Sequence, residues 1–129
     1  MRTRRILRKF ALVGIYAIVN KTNGRVYIGS SSNLTSRLTS HERALISNKH
    51  PNAEMQKDFN DNCHFEFDVL YVHRASRKCG RTVISREERL DLYAMEWEYI
   101  QKYDSIEKGY NHQTIGRAVR GRAVASVHD

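Results

Sequence analysis

Two tyrosines lie in short apolar tripeptides, Gly-Ile-Tyr at residues 14–16 and Tyr-Ile-Gly at residues 27–29. Asn23-Gly24 separates the two runs, and Asn-Gly between apolar runs is a strong β-hairpin signal. Such a hairpin would bring together two phenols, which carry titratable hydroxyl groups, and two glycines, which leave space for other groups. This combination indicates a chemical site more than a plain core hairpin.

The faces of this hairpin depend on the length of its loop. A symmetric two- or four-residue loop would place Tyr27 opposite Asn20 and on the same face as Tyr16, Ile18 and Gly29. A three-residue loop would place the two tyrosines on opposite faces, because a slip of one residue flips every side chain. We predict the symmetric loop and a shared face for both phenols.

Glu96 is the acidic residue best placed for chemistry, because the helical period puts it on an apolar stripe. The stripe consists of Leu92, Tyr93, Ile100 and Tyr103. A carboxylate there is costly unless a hydrogen bond, a cation or a metal compensates for burial. Glu98 lies on another helix face with Lys102, as expected for a solvated ion pair. The pattern alone leaves Glu96 either as a metal ligand or as the partner of a buried tyrosine or arginine.

Arg37 and His41 stand four residues apart in a predicted helix, so they share one face. A guanidinium group can contact two phosphate oxygens and stabilise the charge that develops on them. A histidine can donate a hydrogen bond to such a phosphate or take part in proton transfer. The pattern alone also allows a surface arginine and a structural histidine beside the apolar stripe of Leu34, Leu38 and Leu45.

The order of the elements predicts an α+β fold with a small, antiparallel three-stranded sheet flanked by helices. The strands are predicted at about residues 13–20, 25–30 and 64–72, and the helices at about 33–46, 51–60 and 85–103. The third strand alternates with Phe65, Phe67, Val69 and Tyr71 on one face.

Three further segments complete the predicted fold. Ser85 and Glu88 form a capping box that begins the last helix. Residues 73–81 are predicted to be a basic loop. Residues 110–115 are predicted to be an extended segment that packs back on the sheet.

The paired tripeptides resemble the defining motif of the GIY-YIG nuclease family, and the similarity covers about residues 13 to 115. The resemblance is closest to the catalytic domains of phage-type homing endonucleases. It implies a metal-dependent DNA endonuclease that hydrolyses phosphodiester bonds with one Mg²⁺ or Mn²⁺ ion per active site. Two alternatives remain open: a repair nuclease specific for branched DNA, and a non-catalytic DNA-binding module on the same scaffold.

The resemblance also implies roles for individual residues. Glu96 matches the family glutamate that precedes a Gly-Tyr-Asn segment, here residues 109–111, and would hold the metal. Arg37 matches the family arginine ten residues after Tyr27, and His41 matches a family histidine. Tyr27 would act as general base and Tyr16 would orient water or phosphate. Gly29 would keep space open beside Tyr27, and Asn111 would hold the backbone of the site together.

The whole chain carries a net charge of +8, and the excess of basic residues is concentrated at its two ends. We therefore divide it into a basic arm at residues 1–12, a nuclease domain at 13–116 and a basic tail at 117–129. Basic arms commonly contact DNA phosphates without reading sequence. The candidate DNA-binding residues are Arg4, Arg5, Arg8 and Lys9 in the arm, and Arg74, Arg77, Lys78 and Arg81 in the basic loop.

Composition indicates a protein of the cytoplasm, in the host cell if the gene is phage-encoded. The apolar run at residues 11–19 is too short to span a membrane, and it contains the first tripeptide, which signal cleavage would destroy. Cys63 and Cys79 lack the spacing of metal ligands, and two thiols suit a reducing compartment. DNA is the expected partner, and sequence preference would come from the nuclease domain, a homodimer or a separate specificity partner.

Overall fold

The computed structural model of the chain describes residues 12–73, 76–78 and 81–112, with the backbone alone at 76–78 and 81–83. The strands are β1 (Val13–Asn20), β2 (Val26–Ser31), β3 (Phe65–His73), β4 (Ser76–Lys78) and β5 (Arg81–Val83). The helices are α1 (Leu34–Ile46), α2 (Ala53–Asn60) and α3 (Arg86–Lys102). No helix in these ranges is long and apolar enough to cross a membrane.

Strand β1 is the centre of an antiparallel sheet with the order β2-β1-β3. The even-numbered side chains of β1 pack with α1 and α2, where Leu34, Leu38 and Leu45 are buried as predicted and Met55 is buried beside them. The odd-numbered side chains of β1 pack with α3. The predicted α+β class, with a three-stranded antiparallel sheet between helices, is therefore confirmed.

The hairpin register differs from the prediction by two residues, whereas the predicted faces are correct. Tyr27 pairs with Ile18 rather than Asn20, and Tyr16 pairs with Gly29. The loop consists of residues 21–24, because the backbone N–H of Asn20 donates to the carbonyl of Arg25 at 2.8 Å. A shift of two residues leaves every side chain on its face, so both phenols still point toward α1.

The prediction that Tyr71 shares a face with Phe65, Phe67 and Val69 is wrong. The pairing of β3 with β1 shifts between Ile15 and Tyr16, which leaves an extra residue, Leu70, in β3. A bulge of this kind reverses the alternation beyond it. Tyr71 therefore packs on the α3 face of the sheet, whereas Phe65, Phe67 and Val69 pack on the α1 face.

Within the basic loop predicted at residues 73–81, the described residues belong to strands. Strand β3 continues through His73, and β4 pairs with β5 as a separate antiparallel hairpin. Thr82 and Val83 are β-branched, and the two residues between the strands include Gly80, a pattern typical of a tight hairpin. Sequence reading gave the basic residues more weight than this strand signal.

Helix α3 has the predicted capping box and most of the predicted stripe of buried residues. At its start, the predicted capping box is present, with Ser85 and Glu88 bonding reciprocally. Leu92, Tyr93, Glu96 and Ile100 are buried as the helical period requires. At its end, Tyr103 is the C-cap residue of the helix and is 41% exposed. The prediction that Tyr103 faces the core is therefore wrong.

A polar cluster fastens the C-terminal segment to the hairpin. The Tyr110 hydroxyl donates to Asp58 Oδ2 at 2.5 Å and accepts from Asn20 Nδ2 at 3.1 Å. The Arg25 guanidinium lies 4.3 Å from the centre of the Tyr110 ring and pairs with Asp58 at 3.2 Å. The cluster joins the end of β1, the residue before β2, α2 and the segment after α3, which contribute Asn20, Arg25, Asp58 and Tyr110 in that order.

We expect Tyr110→Phe to lower the free energy of unfolding by about 1–3 kcal/mol, because the buried Asn20 amide loses its acceptor. Urea unfolding monitored by circular dichroism measures the change. Tyr103→Phe is the matched control, since it removes the hydroxyl of an exposed tyrosine and should change stability by less than about 0.5 kcal/mol. Equal effects of the two substitutions would contradict the role assigned to the Tyr110 hydroxyl.

Candidate active site

Three rings predicted to be functional meet on the sheet face that carries α1. The Tyr16 and Tyr27 ring centroids are 6.3 Å apart, and the His41 ring lies 5.5 Å from Tyr16 and 5.7 Å from Tyr27. Tyr16 is 2% exposed, whereas Tyr27 is half-buried. Tyr27 is therefore the phenol that a substrate can reach, and Tyr16 lies behind it.

Gly29 provides the space that the Tyr16 ring occupies. A Cβ atom at Gly29 would overlap the hydroxyl and ring atoms of Tyr16. This follows from the register, because Tyr16 and Gly29 are directly opposed across the strands. Sequence reading expected Gly29 to make room beside Tyr27, and the structure gives that room to the other phenol.

His41 connects α1 to Tyr16. Its Nε2 atom lies 2.8 Å from the Tyr16 hydroxyl oxygen, and its Nδ1 atom lies 2.8 Å from Nε2 of His50. Burial, followed by the proximity of His50 and Arg37, lowers the pKa of His41 to about 3. His41 is therefore a neutral imidazole at neutral pH, with one ring nitrogen that donates and one that accepts.

The two phenols differ in their electrostatic surroundings. Burial is the main cause that raises the pKa of Tyr16 well above its ordinary value, and the nearby Tyr27 raises it further. Burial and then Glu96 raise the pKa of Tyr27, while Arg37 and a hydrogen bond with Tyr16 lower it. The charges of Glu96 and Arg37 thus shift the pKa of Tyr27 in opposite directions.

Glu96 projects from α3 toward the opposite face of β2 from the phenols. Its side chain is 1% exposed, and the Ser30 hydroxyl donates to its Oε1 atom at 2.5 Å. Burial raises the pKa of Glu96 to about 7, although the hydrogen bond from Ser30 lowers it. Glu98 is exposed on another side of the helix, as predicted. A cation beside Glu96 would favour its ionised form.

Arg37 lies between the two sides of the site. It is exposed and lines a small polar cavity of about 90 Å³ together with Ser30 and Arg89. The remaining lining residues are Ser31, Ser32, Ile84, Leu92 and Tyr93. Arg37 also borders a second cavity beside His41 and His50. Among the described residues, neither Arg37 nor Arg89 forms a salt bridge with a carboxylate, so both can bind an anion.

Asn111 fixes the backbone of β2 next to Tyr27. Its side-chain oxygen accepts from the N–H of Ile28 at 2.8 Å, and its side-chain nitrogen donates to the Ile28 carbonyl at 2.8 Å. Tyr110 adds a backbone bond to Val26 at 3.0 Å. These bonds satisfy the outer edge of β2 as a neighbouring strand would. Asn111 was expected to hold the backbone of the site together, and these hydrogen bonds are the contacts that such a role requires.

The predicted DNA-binding residues fall largely where no side chain is described. Arg4, Arg5, Arg8, Lys9 and Arg74 lie outside the described residues. Arg77, Lys78 and Arg81 belong to β4 and β5, for which only the backbone is described. Of the two cysteines, Cys63 is a half-buried free thiol, and Cys79 lies outside the described residues.

Sequence reading missed three residues of the site. Ser30 alternates with Gly29 along the predicted strand and therefore has to face α3. No sequence signal marks His50, because its contact with His41 depends on how two helices are joined. Arg89 was passed over, yet it lies seven residues before Glu96, two helical turns away on the same face of α3.

The donor set beside Glu96 fits a hard divalent cation only in part. A carboxylate and a neighbouring hydroxyl are oxygen ligands of the kind that Mg²⁺ prefers. The described residues contain no group of three or more His, Cys, Asp or Glu side chains able to hold a metal. An ion at Glu96 would therefore need water and substrate oxygens to complete its coordination.

We expect Gly29→Ala to destabilise the fold by about 1–3 kcal/mol, because the new methyl group displaces the buried Tyr16 ring. Urea unfolding measures the effect. In a Tyr16→Leu background, which removes the obstructing ring atoms, the same Gly29→Ala change should cost clearly less. An equal cost in both backgrounds would show that the Tyr16 ring is not the obstacle.

Glu96 should make stability depend on pH in the absence of metal. Its native pKa of about 7 lies above the ordinary 4.5, so between these values the native state binds more protons than the unfolded state. Its contribution to stability is therefore present at low pH and is lost as the pH rises toward about 7.

Glu96→Gln cannot titrate, so its stability relative to the parent should rise by about 3 kcal/mol across this window. Urea unfolding in EDTA between about pH 4 and about pH 8 measures the difference. Parallel pH profiles for the two proteins would contradict a raised pKa at Glu96.

Comparisons with known proteins agree with this geometry. A sequence model described as the GIY-YIG catalytic domain matches residues 12–111. Two solved structures are similar to the chain, and both are catalytic domains of the intron-encoded homing endonuclease I-TevI. One is 28% identical with a TM-score of 0.61 and covers 78% of this chain and 97% of its own. The other, a glutamate-to-alanine mutant, is 25% identical with a TM-score of 0.62 and covers 78% and 92%.

No curated protein matches the chain. The matched region contains every described residue of the ring cluster, together with Arg37, Glu96 and Asn111. The three-stranded sheet and its flanking helices agree with the fold of the two similar domains. The chain therefore belongs to the GIY-YIG catalytic domain family.

Proposed function

We propose that this protein is a divalent-metal-dependent DNA endonuclease that hydrolyses phosphodiester bonds. The observation that carries the proposal is the convergence of three groups at the end of β2. Tyr27 is an accessible phenol, and the exposed guanidinium of Arg37 and the buried carboxylate of Glu96 both lie close enough to shift its pKa. The family assignment and the homing endonuclease neighbours support the same activity.

Tyr27 is the general base in this proposal. A base must contact the attacking water, and Tyr27 is more accessible than Tyr16, which is 2% exposed. A phenol with a pKa near or above ~10 is a weak base at neutral pH. The guanidinium of Arg37 and the hydrogen bond with Tyr16 both lower the pKa of Tyr27, against burial and Glu96. Offsetting the Glu96 charge would favour the ionised form of Tyr27, which is the form that can take a proton from water.

Arg37 binds the scissile phosphate and stabilises the negative charge that develops during attack. Its exposure and its place at the rim of the polar cavity suit this role. Arg89 lines the same cavity. It would contact either the scissile phosphate or the next phosphate along the DNA strand. Two guanidinium groups on separate helices would hold the DNA backbone in one orientation relative to Tyr27.

Glu96, with Ser30 beside it, would hold the metal ion. When bound, a Mg²⁺ or Mn²⁺ ion supplies positive charge that stabilises the leaving oxygen and favours ionised Glu96. Ser30 keeps Glu96 Oε1 in a fixed position by its hydrogen bond. Burial of the carboxylate excludes competing water from its protein-facing side.

Glu96→Gln tests this function. We expect it to reduce cleavage of supercoiled plasmid in Mg²⁺ by at least about 100-fold, because removing an electrostatic element of an active site typically costs this much or more. DNA affinity, measured by fluorescence anisotropy in EDTA, should stay within about threefold. Glu98→Gln is the matched control, since it makes the same change two residues away on an exposed face and should cut at the parental rate.

Other outcomes would point to different functions. Equal DNA binding by parent and Glu96→Gln, with no cutting in Mg²⁺ or Mn²⁺, would favour a non-catalytic binding module. Cutting of branched or nicked DNA in preference to linear duplex would favour a structure-specific repair nuclease. Cutting by the parent that persists in EDTA would contradict the metal requirement.

A further inference from the structure

His50 is a buried histidine that the proposed chemistry does not use. It lies in the connection between α1 and α2 and is 9% exposed. Its ring stacks on His41 with the centroids 5.0 Å apart. Its Nε2 atom lies 2.8 Å from Nδ1 of His41, and its Nδ1 atom accepts from the backbone N–H of Asn52 at 3.0 Å. Both ring nitrogens are therefore engaged.

The Asn52 amide sets the direction of the hydrogen bonds that follow. A backbone N–H can only donate, so Nδ1 of His50 must be the unprotonated nitrogen. Burial lowers the pKa of His50, and the neutral ring then carries its proton on Nε2. That proton is donated to Nδ1 of His41, which leaves the proton of neutral His41 on Nε2. His41 consequently donates to the hydroxyl oxygen of Tyr16.

Tyr16 is thereby left with its own proton available for a further bond. Its oxygen accepts from His41, and Tyr27 is the next phenol, with ring centroids 6.3 Å apart. Because His41 already donates to the Tyr16 oxygen, the Tyr16 proton is free to turn toward the neighbouring Tyr27.

The start of the chain of bonds is firmly held. Asn52 caps α2, since its side-chain oxygen accepts from the N–H of Met55 at 3.0 Å. Its side-chain nitrogen donates to the Tyr110 carbonyl at 2.8 Å. The backbone N–H of His50 donates to Oε1 of Gln56 at 3.0 Å. The α2 N-terminus therefore fixes the position and the orientation of the His50 ring.

We propose that His50 is a positioning residue that fixes the tautomer of His41, and so directs the Tyr16 hydroxyl proton toward the oxygen of Tyr27. The inference rests on the proposed function, in which Tyr27 takes a proton from water. Tyr27 must first release its own proton to solvent, and a preset hydrogen bond to its oxygen stabilises the ionised form that then takes a proton from the attacking water. With the other His41 tautomer, the Tyr16 hydroxyl would have to donate to His41. Its proton would then be unavailable for a hydrogen bond to Tyr27.

Two substitutions of His50 separate this role from simple packing. His50→Phe keeps an aromatic ring and removes both hydrogen-bonding nitrogens. His50→Gln keeps an acceptor for the Asn52 N–H and a donor for His41 in a single amide group. A purely structural role predicts that Phe replaces histidine at least as well as Gln does. The positioning role predicts the opposite order.

Long-range ¹H–¹⁵N NMR spectra of the imidazoles give a first readout, which does not require activity. We expect one His41 tautomer, protonated at Nε2, in the parent and in His50→Gln, and a mixture in His50→Phe. His64→Phe is the matched control, because His64 is an exposed histidine whose ring contacts Glu66. An unchanged His41 tautomer in folded His50→Phe, or Nδ1 protonation in the parent, would overturn the proposal.

Cleavage kinetics give the second readout. We expect His50→Phe to lower kcat about 10- to 100-fold with little change in KM, a smaller loss than removal of a general base itself. His50→Gln should recover most of that loss, and His64→Phe should behave as the parent does. Unchanged kcat in His50→Phe would overturn the catalytic part of the proposal. Absence of cleavage by the parent would instead defeat the proposed function, while the tautomer measurement would still decide the hydrogen-bond chain.

Discussion

The pairing of β1 with β2 is the constraint on which the rest of the site depends. Because Tyr16 is opposed to Gly29, the ring of one residue fills the space that the other leaves empty. The same register turns Tyr27 toward α1 and Ser30 toward α3. A single short strand thus presents a phenol to His41 on one side and a hydroxyl to Glu96 on the other. Helices from both faces of the sheet are thus brought to the same short strand.

The sequence predicts this arrangement well where a period governs it. The helical period placed Glu96 among buried residues, and strand alternation placed both tyrosines on one face despite an error of two residues in the register. Prediction failed at Tyr71, where one inserted residue in β3 reverses the alternation. It also failed at His50, because no local pattern shows how the α1–α2 connection folds back against His41. Such contacts depend on tertiary packing, which periodicity does not encode.

The site is held at a cost to the fold. Glu96 is buried with a raised pKa, and both Tyr16 and His41 are kept neutral inside the protein by burial. Each of these groups would be better solvated outside. The cluster formed by Arg25, Asp58, Tyr110 and Asn20 supplies compensating interactions at the loop end of the hairpin. Stabilising interactions therefore lie directly beside the candidate site, because Arg25 is only two residues from Tyr27.

The bridge from Asn111 to Ile28 determines where the last described residues lie. The outer edge of β2 is completed by the Asn111 side chain and the Tyr110 backbone rather than by another strand. The chain therefore leaves the described region one position along β2 from Tyr27, and not on the far side of the domain.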